Sequence, residues 1–509
     1  MTRSFLLVLI ATLPALAQFA PPAGQNQGAQ ANQIPLSGRA AQTGSVTASE
    51  APIAGTTTSV NTINPTIQAQ GPYAGSASST RGKPFSGKLS LKEAIDRALE
   101  FNLGAIGLSQ ALAQAHGQAI SVRSALLPNI SSSLAETVQQ TNLRASGLRI
   151  SSPIPGFGIP SIVGPFNYFD LRARLTQSIA DLGALDNYRS ARETVQANQF
   201  YAKDARDLVV LAAGGAYLQA VAARARVTSG RAQLEAANAL YKQTTDQKSA
   251  GIVTQIDVNK NRLQMLTQQQ RVVSLENDFA KQKINLARLT GLPPNDRFDL
   301  SDDVPYADAP VSSEDEAVTL ALSQRPDIQG AQAQIRAAER TRDAARAERV
   351  PSLAVSADYG VIGTNPAQSH GTFSVTGSLR IPIWQGGKTE GDIEQASAAV
   401  AERRAELDDL RGRIEGDVRN AYLDLKAASS QVEVARENLT VTRQTLDLTK
   451  QRFDAGVTDT VDVAQQQASV AQAELDYINA VFAHNVAKLS LARAAGSAAE
   501  NLGRYLPLP

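Results

Sequence analysis

The chain has 509 residues and no cysteine, which excludes disulfide frameworks, thiolate metal sites and cysteine nucleophiles together. Aromatic residues make up only 5%, with a single tryptophan, a composition that suits slender helices better than thick aromatic cores. Neither sign of charge is in excess, with 49 basic against 48 acidic residues, so no nucleic-acid footprint is expected. The three histidines, His116, His370 and His484, are scattered and lack ligand-spaced carboxylates. There is no P-loop, nucleophile elbow or Gly-rich dinucleotide turn. No catalytic, cofactor or metal site is expected. His484 falls on a heptad stripe and reads as a packed core residue. Beyond the N-terminus no apolar run reaches the roughly 18 residues of a transmembrane helix.

What is present begins with Arg3 and the run "FLLVLIATLPALA", which closes on the small-x-small site Ala15-Leu16-Ala17. This pattern predicts a secretory signal over 1–17, with cleavage before Gln18. No cysteine follows, so a lipid-anchored N-terminus is not expected. Residues 18–88 are Gln, Ala, Gly, Pro, Ser and Thr with almost no charge or aromatics. Such a segment buries too little apolar surface to order itself, and it reads as a disordered lead-in.

The rest is a duplication. "AGIVTQIDV" at 250–258 returns as "AGVTDTVDV" at 455–463, 205 residues later. "EAIDRAL" (93–99) pairs with "EAVTLAL" (316–322), and Pro128 pairs with Pro351, both at an offset of 223. The offset changes between Pro128 and Leu175, where the first half carries the extra Pro/Gly-rich loop "SSPIPGFGIPSIVGP". Insertions at equivalent places belong to loop tips. The predicted halves are 89–291 and 314–496, joined by a belt segment over 292–313 and followed by a tail over 497–509. Each half reads as a helix of about 35 residues, a strand, a loop, a strand and two very long helices around the AG tip. The predicted helix 184–249, at 1.5 Å per residue, is roughly 100 Å long.

Two periodicities give these elements their setting. Leu425, Val432, Leu439, Leu446 and Phe453 recur every seventh residue, as do Val463, Val470, Tyr477, His484 and Leu491. Sustained heptads mean helices wound on neighbours. Two apolar stripes per helix point to contact on two sides, as in a closed ring. By contrast, 372–383 and 352–359 alternate apolar with polar residues, and 166–179 sets Phe169, Leu171, Ala173 and Leu175 against Asp170, Arg172 and Arg174. Strands with one apolar and one charged face fit an outer-membrane barrel, with lipid outside and water inside. Tyr168, Phe169, Tyr359, Phe373 and Trp384 lie near the predicted strand ends, where an aromatic girdle belongs. The first strand, 129–140, is weaker, because Glu136 falls on the lipid face; a bulge or register change is one way out. Four strands are too few to close a barrel, whereas three chains supply twelve, so a homotrimer follows from closure.

At this point the chain resembles the TolC family of outer-membrane efflux proteins over about 89–497. The resemblance is carried by the "LPNIS" and "VPSLAVS" junctions, by "IPIWQGGK" and by "RFDAGVTDTVDVAQQQ", in this order and duplicated. It implies a mainly α protein with transmembrane β: long helical hairpins forming a trimeric α-barrel continuous with a 12-stranded outer-membrane β-barrel. Expected partners are itself, outer-membrane lipid, a periplasmic adaptor and an inner-membrane pump of RND, ABC or MFS type. The expected cargo is drugs, small molecules or proteins.

The AG tips then become the hairpin turns at the periplasmic mouth. Gly251 and Gly456 permit the reversal, while Thr254 with Asp257, and Asp459 with Asp462, have capping-box spacing. The resemblance assigns Asp462 to an acidic ring at the gate, beside Asp257. Gln465 and Phe453 stand where relatives carry an aspartate and often a tyrosine, so neither a two-tier acidic gate nor a hydroxyl latch is expected. Val253 and Val457, with the tip glycines Gly251 and Gly456, would meet the adaptor. The competing readings are a periplasmic adaptor, which needs extra β-domains between its helices, and a coiled-coil scaffold, which would lack strands.

Overall fold

The computed structural model describes residues 44–53, 62–77, 85, 87–145, 147, 160–294, 297–302, 306–308 and 313–506. The predicted signal over 1–17 lies outside them. In chain order the elements are β1 Val46–Ile53, β2 Thr62–Ala69, β3 Lys88–Leu89, α1 Leu91–Phe101, α2 Leu103–Arg123, β4 Asn129–Asn142 and β5 Ile162–Ala180, then α3 Leu182–Ser249 and α4 Gln255–Thr290. The second half follows with β6 Asp299–Leu300, α5 Glu314–Gln324, α6 Pro326–Ala347, β7 Ser352–Gly363, β8 His370–Arg380, α7 Lys388–Asp454, α8 Thr460–Ala494 and α9 Leu502–Tyr505. Two compact units result: 123–182 with 350–383 carry a sheet, and 40–122, 183–349 and 384–509 carry the long helices.

The sheet is antiparallel in the order β4-β5-β7-β8. Its register pairs Leu171 with Leu134 and Val361, and pairs Tyr359 with Ala173 and Phe373. Because side chains alternate along a strand, this collects Leu134, Leu171, Val361, Tyr359, Phe373, Val375 and Leu379 on one face. The other face holds Asp170, Arg172 and Asp358, with Arg172 bonding Asp358 at 2.5 Å and Asp170 at 3.2 Å. The apolar face is open: Phe373 is 79% and Val375 70% exposed. Tyr168 alternates onto the charged face, so of that pair Phe169 alone joins Tyr359 and Phe373. The strand expected over 372–383 stops at Arg380, because Pro382 has no N–H for a ladder. Trp384 therefore stands four residues beyond the strand, 87% exposed.

No register change removes Glu136 from the apolar face. It pairs with Phe169, and the irregularity of β4 comes later, between Gln139 and Thr141. Two facts explain its place. Asn167 donates to its Oε1 at 3.4 Å, and Phe169 is level with Gly363, where β7 ends. Glu136 thus lies level with the turn of the shorter hairpin, beyond the continuous apolar band.

In the helical unit, the expected 35-residue helices are each broken at one repeat position. Asn102 separates α1 from α2, and Arg325, 223 residues on, separates α5 from α6. Pro326 starts α6 because its missing N–H costs nothing in a first turn. Asn102 is fully buried; its Nδ2 donates to Tyr73 O at 2.9 Å and its Oδ1 accepts from Gly104 N at 2.8 Å. Arg325 bonds Asp327 at 2.6 Å and Ala494 O at 3.2 Å.

Residues 44–53 and 62–77, expected to be disordered, are part of this unit. β1 and β2 form a hairpin, and two helix glycines make notches for the segment. A Cβ at Gly215 would lie 1.9 Å from Ile67 Cδ1, and one at Gly104 would lie 2.3 Å from Tyr73. Composition failed here because the apolar surface being covered belongs to the helices. β3 pairs with β6 in parallel, pinned by Tyr217 Oη to Leu89 O at 3.0 Å and Arg224 to Leu300 O at 2.5 Å.

The predicted seam is present. Leu425, Val432 and Leu439 of α7 are buried with Ala421, Ala428 and Ala435, and the α7 stripe packs with Ala480, Ala487 and Leu491 of α8. Helix α3 contains an 18-residue window of mean hydropathy 1.5, long and apolar enough to cross a membrane, and 67% of that window is buried against the protein. Its apolarity serves the core.

Candidate functional site: the tips of the long hairpins

Both tips are built by the same backbone bonds. At the end of α3, Ile252 N donates to Gln247 O and Gly251 N to Lys248 O, each at 2.9 Å. At the end of α7, Val457 N donates to Arg452 O and Gly456 N to Phe453 O, also at 2.9 Å. This is the six-to-one and five-to-two pattern that ends a helix on a left-handed residue. Gly251 and Gly456 supply it with φ of 77° and 73°.

A Cβ at Gly456 meets nothing within 4 Å, so Gly456→Ala should cost only backbone strain, about 1 kcal/mol. Gly412, inside α7 and equally open, should gain roughly 1 kcal/mol on changing to alanine. Thermal midpoints moving in opposite directions check this. Midpoints moving together would mean that the tip does not hold its left-handed residue.

The helix starts differ. Thr254 and Asp257 form the full reciprocal capping box of α4, with Thr254 N donating to Asp257 Oδ2 at 3.1 Å. The Thr254 hydroxyl, and then its amide, hold the Asp257 carboxyl below the usual range. In α8 the cap is one-sided. Asp459 Oδ1 accepts from Val461 N at 2.9 Å and Asp462 N at 3.1 Å, while Asp462 bonds the Thr458 hydroxyl. The expected second box is therefore only half made. Asp462 is exposed, and so is Gln465 one turn later; Phe453 and Val253 are half-buried. Asp462 and Gln465 share one exposed stretch of α8, whereas Asp257 is committed to its own helix start.

Exposed apolar side chains crowd both tips: Ile252 71%, Ile256 66%, Val457 66% and Val461 44%. Sequence reading named Val457 and Val253 but missed Ile252 and Ile256. The signal was available, because the 205-residue offset pairs Ile252 with Val457 and Ile256 with Val461. It also missed the polar tie between the hairpins. Glu474 of α8 accepts from Ser229 of α3 at 2.5 Å and from Arg443 of α7 at 2.8 Å. Burial raises the Glu474 carboxyl, but Arg443 and Ser229 outweigh it and leave it lowered. Beside it lies a cavity of about 140 Å³ lined by Ala236, Gln268, Leu446, Ala471 and Glu474.

A duplicated chain with an apolar-faced antiparallel sheet and very long hairpins of this kind is an outer-membrane channel protein. Its sequence matches the model of the outer membrane efflux protein family over 96–292 and 317–497; the chain belongs to that family. It is 28% identical over 421 residues to protein CyaE of Bordetella pertussis, covering 80% of this chain and 84% of that protein. It is also 26% identical over 271 residues to the pyoverdine export outer membrane protein OpmQ of Pseudomonas putida. There the match spans only about half of each chain, 51% of this one and 54% of that one. Among solved structures, the CmeC outer membrane channel of Campylobacter jejuni superposes with a TM-score of 0.68 at 19% identity, over 80% of this chain and 86% of that one. The open-state MtrE channel of Neisseria gonorrhoeae gives 0.65 at 15%, over 86% and 98%. These last two share the fold.

Proposed function

We propose that three copies of this chain close into a conduit that carries solutes out of the cell, joined to a periplasmic adaptor and an inner-membrane pump. The observation that carries this reading is the sheet itself. It has four strands, an exposed apolar face, a charged face, and two outer strands, β4 and β8, that pair with nothing further among the described residues. Open strand edges within lipid leave backbone groups unsatisfied, so a spanning sheet must close. Three chains supply an even count of twelve strands. Lipid then meets Phe169, Tyr359 and Phe373, and the Asp170-Arg172-Asp358 cluster lines water.

The helices support the same stoichiometry. Val434, Val441 and Leu448 of α7, and Leu266 and Val273 of α4, form seven-residue stripes 47–60% exposed in the single chain. Such stripes fit burial against helices of the next copy. The tips then form the mouth. Three Asp462 carboxylates make an acidic ring there, and Ile252, Ile256, Val457 and Val461 offer the adaptor an apolar landing. A pump of RND, ABC or MFS type would supply the energy. Export of a molecule such as pyoverdine, which the OpmQ name gives for that protein, is one cargo class within reach of such a conduit.

The test uses detergent-extracted outer membrane. The protein is expected as an oligomer of about three chain masses that opens pores in planar bilayers. Asp462→Ala is expected to change single-channel conductance or its block by multivalent cations, because a like-charged ring attracts them. A soluble monomer would remove the conduit reading. Unchanged conductance and block would remove only the gate.

A further inference from the structure

The repeat that builds the tips also builds two lysine–aromatic sites, and they differ in one telling way. In the first half, Lys283 Nζ lies 4.8 Å from the Phe298 ring and 5.6 Å from that of Phe279, one turn earlier on α4. The same two positions in α8, 205 residues on, are Lys488 and His484. Here both side chains are fully buried. They lie under residues 306–308 of the segment joining the halves: Lys488 Nζ donates to Ala307 O at 2.9 Å, and the His484 and Tyr306 rings are 4.7 Å apart. Tyr306 also caps the α7–α8 seam at Val432, Ala435 and Ala480.

Among the described residues, the imidazole has no hydrogen-bond partner on either Nδ1 or Nε2. Phenylalanine, present at the matching position, would fill such a space without leaving two polar atoms unpaired, which costs about 1–3 kcal/mol. What histidine adds is titration. We propose that residues 306–308 are a proton-released strap over the α7–α8 hairpin, and that His484 is the group whose protonation releases it.

On balance the surroundings disfavour a buried imidazolium: burial and Lys488 act against it, and the Asp308 carboxylate offsets them only in part. From α8, the neighbour is the Lys488 ammonium; from the strap, Asp308, whose Oδ1 already accepts from Tyr306 Oη at 2.9 Å; from α7, Glu433, which acts on Tyr306. An imidazolium would therefore sit buried beside a second cation, and lifting the strap would hydrate it. Burial first, and Lys488 second, push the His484 ring down to about 4 from 6.5. The closed form is thus fully favoured above pH 6.5 and loses ground as pH falls from there towards 4. Lys488, pushed down to about 8 by burial, carries a cost already complete below pH 8 and adds no slope in this window. The strap-opening equilibrium should rise about 30-fold by pH 5 and about 300-fold below pH 4.

Because the chain has no cysteine, a single thiol reports opening cleanly. Ala435→Cys, in the full-length detergent-extracted protein, places it under Tyr306, and Gly412→Cys provides an exposed reference. Both are labelled with dithiodipyridine, which stays reactive in acid. The ratio of the two rates is expected to rise about 30-fold between pH 7.5 and 5, and to stay flat when His484→Phe is added. If that variant does not form heat-stable oligomers, His484→Met serves the same arm. A flat ratio with histidine present overturns the proposal, and so does an equal rise without it.

Discussion

Asn102→Ala should destabilise the helical unit by about 3 kcal/mol. The side chain is fully buried and joins two pieces of backbone, accepting from Gly104 N at 2.8 Å and donating to Tyr73 O at 2.9 Å. Alanine leaves both backbone groups without a partner or water. It also loosens residues 70–77, which reach the end of α4 through Ser76 Oγ donating to Arg288 O at 2.5 Å. Thermal unfolding of the extracted channel, followed by circular dichroism, checks this, and the midpoint should fall by several degrees. A drop no larger than that of an exposed control such as Asn365→Ala would show that the break between α1 and α2 does not depend on Asn102.

The second large effect is expected in the sheet. Val375 lies near the middle of β8 and is 70% exposed on the apolar face. An arginine facing lipid near the midplane costs about 2–4 kcal/mol, and a trimer takes that cost in each copy. Val375→Arg should therefore be lost from the outer-membrane fraction and appear as degraded or aggregated protein. Ser374→Arg, one residue away, points to the opposite face, where Ser374 is paired with Asp358. There a new cation finds a carboxylate, and assembly should proceed normally. Equal insertion of the two variants would mean that the apolar face does not meet lipid.

Local features of the chain were the most legible. Alternation placed β5, β7 and β8, and only Pro382 shortened the last. Heptads found the seam of α7 and α8, and duplication found both tips, down to the same two backbone bonds in each. What escaped was set by distant partners. The break at Asn102 depends on Tyr73 O, some thirty residues earlier. The order of residues 62–77 depends on notches at Gly104 and Gly215, which in sequence look merely like weak points in helices. At the tips, capping-box spacing occurs twice, yet only Thr254 and Asp257 complete the exchange. In the second tip Thr458 draws the Asp462 carboxylate away, and no spacing rule registers a competitor one turn off. His484 was placed correctly on its stripe, but its unpaired nitrogens became visible only once Tyr306 lay over it.

The unequal hairpins have a consequence for the outer end of the conduit. β7 stops level with Phe169, while β4 and β5 run on to Asn142 and Ile162. Repeated three times around an axis, the wall rises and dips, like battlements rather than a level lip. Solute leaving the pore would meet a rim whose paired strands reach further at three places than between them.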